Sequence, residues 1–182
     1  IVPLLAVGAI VLVVLLNDPT FDSRRLTNFS SAAKSLPSIL AIWVVITLGM
    51  ILTIRILQPD QLFAFPRKKP KFWMIVMAFY PVFSVIPQTI IYRAFFLHRY
   101  QPLFGSEWTM LIVAALAFGL AHLVFRHILP IILTTIAGLL FAWRYASTGS
   151  AVASAFEHAL YGDMVFTVGL GLYFYLGSQR LV

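Results

Sequence analysis

The chain has 182 residues, 61% of them hydrophobic and 10% charged, with a mean hydropathy of +0.94. A soluble domain carries about 25% charged residues, so soluble enzymes, nucleic-acid modules and disordered scaffolds are excluded. The net charge of +7 and the lack of cysteine place the cations in loops against anionic lipid and exclude disulfides, thiol nucleophiles and thiolate metal sites.

At roughly 25 residues per span and connection, the length suits an all-α bundle of about seven transmembrane helices in one domain. The first apolar run, 1–16, has no basic flank and no small-residue cleavage site. It therefore reads as a span, with its N-terminal end incomplete, rather than a signal peptide. It stops at Asn17-Asp18-Pro19. An interfacial loop with Arg24, Arg25 and Lys34 is expected next, with Pro37 opening a second helix over 37–57. The segment 66–71 holds four cations in six residues and is expected on the cytoplasmic face of a prokaryotic inner membrane. A third helix, 72–96, is interrupted by Pro81 and Pro87. Each removes a backbone donor, and in lipid the freed carbonyls must face protein or a cavity.

A fourth helix is expected over 108–125 and a fifth over 128–145. The stretch 151–162 is too short to cross the ~30 Å hydrocarbon core alone and reads as a half-helix. A last span is expected at 166–176, with Gly169, Gly171 and Gly177 allowing close helix contact.

Ionisable groups within spans are costly and usually functional. Arg55, Arg126 and Arg144 lie at expected helix ends and are read as snorkelling. Arg93, His122, Glu157, His158 and Asp163 remain. Thr89 and Arg93 are four apart and share a helix face. Gly119 and Ala121 beside His122 allow a neighbouring helix to approach. Two histidines and a carboxylate from separate helices could bind a divalent metal or polarise a water. The metal reading lacks a His-Glu-x-x-His pair and a third deep histidine, since His98 and His127 lie at boundaries. Ser154 and His158 share a face, but no strained nucleophile turn accompanies them.

In this order the residues resemble the CPBP family of intramembrane proteases (the CAAX-protease and bacteriocin-processing, Abi or Rce1-like family). That family's first motif is Glu-Glu, three residues, then Arg; here the register holds Gln88, Thr89 and Arg93. Its Phe-x-x-x-His motif is matched by Phe118 and His122. Its last motif, His followed four residues on by Asn or Asp, is matched by His158, with Gly162 at the fourth place and Asp163 at the fifth. The resemblance covers 72–177. It implies a glutamate activating water for attack on a peptide bond, with both histidines holding the water and the developing oxyanion. Neither Gln88 nor Thr89 is a carboxylate, so Glu157 or Asp163 would have to act as acid/base.

Two functions are then expected. One is an intramembrane endopeptidase acting on a membrane-embedded or lipidated peptide. The other is an inactive relative that serves as a subunit or binder for partner transmembrane helices and lipids.

Overall fold

The computed structural model describes residues 1–174. Among them all regular structure is helical. Four stretches are long and apolar enough to cross a membrane: Ser23–Leu57, Pro70–Leu103, Glu107–Phe125 and Ile128–Thr148. The chain is an integral membrane protein. Their outward faces are bare Val, Leu, Ile and Phe, such as Val45, Leu48, Leu52 and Ile136, as lipid solvation requires.

Helix α1 (Val2–Asn17) is followed by a turn and by α2 (Phe29–Leu57). The second helix begins eight residues earlier than Pro37 suggests. Asn28 caps it, its side-chain oxygen accepting from the Ser31 N–H at 3.1 Å. Pro37 is carried inside. Around it the Ser35 and Ser38 hydroxyls donate to carbonyls of their own helix at 2.8–3.0 Å, the back-bonding that commonly accompanies a bent helix. The basic segment folds partly into α3 (Ala64–Lys68), and Pro70 opens α4 (Pro70–Tyr80).

The interruption expected at the prolines takes a definite form. A π turn at Pro81–Val85 leads into α5 (Ile86–Thr89). A second π turn, Ile90–Phe95, leads into α6 (Phe96–Tyr100). A widened turn accommodates a missing donor without ending the helix, and such bulges often mark functional sites. Helix α1 packs along α5 and the second π turn, so it backs the segment that carries Gln88, Thr89 and Arg93.

Helix α7 (Glu107–Leu120) is capped by Ser106, whose hydroxyl oxygen accepts from Thr109 N–H at 3.1 Å. It tightens into a 3-10 turn at Ala121–Phe125. His127 then caps α8 (Ile128–Thr148), its Nδ1 accepting from Leu129 N–H at 3.1 Å. Helices α7 and α8 pack closely because Gly119 has no side chain; a Cβ there would collide with Thr135 Oγ1.

Helix α9 is longer than expected. It runs Ala151–Val168, 18 residues, straight through Gly162 and Asp163. The bundle interior supplies packing that offsets the helix-interior cost of glycine, about 1 kcal/mol. Trp43 Nε1 donates to the Leu160 carbonyl at 3.3 Å, and Trp73 Nε1 to Thr167 Oγ1 at 3.0 Å. These bonds hold α9 against α2 and α4. Phe166 lies in the last turn of α9 and does not open a separate span. Gly169, at φ +117°, ends α9 in the left-handed region that favours glycine, and a 3-10 turn follows over Leu170–Phe174. The rest of the expected last span, including Leu176 and Gly177, lies outside the described residues.

Candidate functional site

Three elements converge on a cavity of about 620 Å³. The helix carrying the π turns contributes Tyr80, Ser84 and Gln88. The 3-10 end of α7 contributes His122, and α9 contributes His158, Tyr161 and Gly162. Phe118, Phe141, Phe79, Phe83 and Phe166 make much of the remaining wall apolar.

His122 lies one turn after Phe118, and its Nδ1 is 2.8 Å from the Phe118 carbonyl. A carbonyl only accepts, so Nδ1 carries the proton. The neutral ring is left with Nε2 as an acceptor. This histidine can accept a hydrogen bond from a water at Nε2, and its one N–H is already spent on the Phe118 carbonyl. His158 is buried against Phe118, stacked on Phe141 at 4.6 Å between ring centroids. Its Nε2 is 3.2 Å from the Tyr80 hydroxyl, while its Nδ1 has no hydrogen-bond partner. Tyr80 reaches this position over Gly162, where any Cβ would collide with its phenol.

Gln88 lines the cavity and donates from Nε2 to Ser84 Oγ at 2.9 Å, leaving Oε1 buried without a partner. Thr89 and Arg93 turn inward, 2% and 1% exposed. The Arg93 guanidinium lies 4.0 Å from the centroid of Phe118 and 5.3 Å from that of Phe141. Its Nη1 and Nη2 have no hydrogen-bond partner. Cation–π contacts return about 0.5–2 kcal/mol. Taking a cation out of water costs several kcal/mol, so the rings alone leave Arg93 under-compensated.

The two other acidic candidates behave differently. Glu157, 0% exposed, is off the cavity wall. Its carboxylate accepts from Arg144 Nε at 2.8 Å and Nη2 at 3.1 Å. Arg144 Nη1 donates to Ser38 Oγ at 2.9 Å. Arg144 is thus 3% exposed, a buried clamp between α2, α8 and α9 and not a snorkelling anchor. It was misplaced because a run of apolar residues ending in Arg-Tyr imitates a membrane boundary. Asp163 is off the wall although its neighbour Gly162 is on it; its Oδ1 is buried without a partner.

The cavity therefore gathers Gln88, His122 and His158, with Arg93 behind two of its rings. It does not gather Glu157. Ser154 is also structural, its hydroxyl donating to the Phe141 carbonyl at 2.9 Å. Tyr80 and Ser84 were not singled out from the sequence, since hydroxyls in spans carry no periodic signal. The Arg144–Glu157 pair did have one: opposite charges within two adjacent apolar segments. Among the described residues no three His, Asp or Glu side chains group as metal ligands.

A protein-family model described as type II CAAX prenyl endopeptidase Rce1-like matches residues 70–175, more than half of the chain. Neither the curated proteins nor the solved structures give a match.

Proposed function

Because the chain belongs to the Rce1-like family of type II CAAX prenyl endopeptidases, we propose that it is a degenerate intramembrane endopeptidase, one that holds a membrane-embedded peptide or lipid-modified chain without hydrolysing it efficiently. The observation that carries this reading is the polar content of the cavity wall. Among the described residues it holds a glutamine and two histidines but no carboxylate. Attack of water on an amide needs a group to take its proton; positioned general bases contribute typically 10²–10⁴-fold. Gln88 can hold a water but has no basic form. Thr89 would need an activator of its own, and its Oγ1 has no hydrogen-bond partner. Glu157 is committed to Arg144. The apolar wall remains suited to a lipid chain or a transmembrane segment, so binding outlasts chemistry. The bland alternative of a purely structural subunit shares this cavity but needs no ligand in it.

One observation favours retained proteolysis: the buried, unpartnered Oδ1 of Asp163 beside Gly162. The setting proposed is a prokaryotic plasma membrane with segment 66–71 on the cytoplasmic side, supported by its density of cations.

The test uses the chain in lipid nanodiscs with a farnesylated peptide. Binding is expected, with no cleavage above that of His122→Ala. Thr89→Glu is expected to gain cleavage. Wild-type cleavage that vanishes in His122→Ala or Asp163→Asn overturns the reading, and so does a failure to bind.

A further inference from the structure

Away from the cavity, a pocket of about 410 Å³ opens where the chain leaves α1 and where α6 ends. The turns 18–25 and 98–102 build it, and it shares no residue with the cavity wall. The span Pro70–Leu103 ends there and the span Glu107–Phe125 begins beside it, so the pocket stands at a membrane surface. One crossing separates it from the basic segment 66–71.

Both signs of charge line this pocket, but they differ in what they already hold. Asp22 is within electrostatic reach of Arg25, yet both its oxygens are taken by Arg24 at 2.9 and 3.0 Å. Asp18 accepts from the Thr20 N–H at 2.9 Å, the Thr20 hydroxyl at 2.6 Å and His98 Nε2 at 3.0 Å. Arg25 and Arg99 enter none of the ion pairs among the described residues. Arg25 does not trail in water: it is half-buried, its guanidinium 4.8 Å from the centroid of the Tyr145 ring. Such stacking uses the face of a guanidinium and leaves its edge donors for an acceptor. Gln101 adds an amide to the same wall.

We propose that this pocket binds a phosphate group, held by Arg25, Arg99 and Gln101. The site is separate from the peptide cavity and does not depend on the function proposed for it. Guanidinium and phosphate pair through parallel N–H bonds, and two cations offset the charge of one phosphate. A neighbouring pocket of about 320 Å³ shares Arg25 and Gln101 and adds Leu97, Phe104 and Met110 beside Ser106 and Glu107. The apolar part of that wall suits a glycerol backbone and the first acyl carbons. Two sources carry this chemistry: a phospholipid headgroup and a free phosphate ion.

The experiment uses the full chain in dodecyl maltoside, a detergent without phosphate. Radiolabelled dioleoyl phosphatidylglycerol is titrated, with dioleoylglycerol and inorganic phosphate as competitors. Saturable binding of the phospholipid is expected, with no competition from dioleoylglycerol. Arg25→Gln with Arg99→Gln is expected to raise the half-saturating concentration about tenfold or more, the scale of lost charge-assisted bonds. Lys34→Gln removes an exposed cation off both pocket walls and is expected to leave it unchanged. Competition by inorganic phosphate names the free ion as the source; its absence names the headgroup. Should the double variant fail to assemble, Arg99→Gln alone decides, since this exposed side chain is expected to weaken binding without loss of fold. Binding that dioleoylglycerol matches, that the arginine variants leave unmoved, or that Lys34→Gln weakens as much overturns the proposal. So does the absence of saturable binding.

Discussion

Arg144 and Glu157 face one another across the turn at Gly149 through two parallel hydrogen bonds of 2.8 and 3.1 Å, sealed in the bundle interior. Removing one partner of such a pair leaves an uncompensated buried charge and costs about 3–5 kcal/mol. Arg144→Gln is therefore expected to lower the melting temperature sharply in nanodiscs. The joint replacement Arg144→Met with Glu157→Leu is expected to recover most of the loss, since no charge is then stranded. If Glu157→Gln instead melts like the wild type while losing ligand binding, Glu157 acts in the cavity.

The contact between Tyr80 and Gly162 gives a second expectation. Gly162→Ala would drive a methyl group into the phenol ring and cost about 1–3 kcal/mol, the usual scale of overpacking. Adding Tyr80→Leu should relieve most of that. A thermal unfolding series on the two single variants and the double variant measures it; a strictly additive double variant would mean that the two side chains do not compete for space.

Outside the membrane, Asp18 offers a pH signature. The Thr20 hydroxyl and then the Thr20 N–H donate to its carboxylate, His98 adds a bond at 3.0 Å, and together they hold its pKa down to about 2. A depressed carboxylate stabilises the fold above its unfolded value, here 3.8, and that contribution is lost as pH falls through the folded value. Asp18→Asn should thus be less stable than wild type at neutral pH, and the gap should close on acidification toward pH 2. Thr20→Val should narrow the gap more than His98→Ala. Melting curves across that range decide it.

Ser150 joins two helix starts. Its hydroxyl donates to the Asn28 carbonyl at 2.9 Å and its oxygen accepts from Ala153 N–H at 3.2 Å. Ser150→Ala removes a helix cap, worth typically about 1 kcal/mol, together with a tie between α2 and α9. A loss of about 1–2 kcal/mol in reversible unfolding is expected, with ligand affinity unchanged because Ser150 is off the cavity wall.

Much of this was legible in the chain itself. Apolar composition dictated helices, and the order of Arg93, Phe118, His122 and His158 announced which side chains belong together. What was hidden had physical reasons. Pro37 and Gly162 are breakers by intrinsic propensity, yet packing within the bundle overrides both. Arg144 looked like a boundary because a one-dimensional reading cannot tell an arginine that meets lipid headgroups from one that meets Glu157. The two π turns shift the facing of residues beyond Pro81, so spacing counted at an ideal 3.6 residues per turn could not establish which side of the helix Gln88 presents.

Because Tyr80 fills the space over Gly162, these two positions are expected to vary together. Homologous chains bearing a side chain at the position of Gly162 are expected to carry something slimmer than tyrosine at the position of Tyr80, which an alignment of such chains would check. Those that keep the glycine are free to retain the ring. Paired inheritance of these two sites across distant lineages would trace the history of the cavity wall.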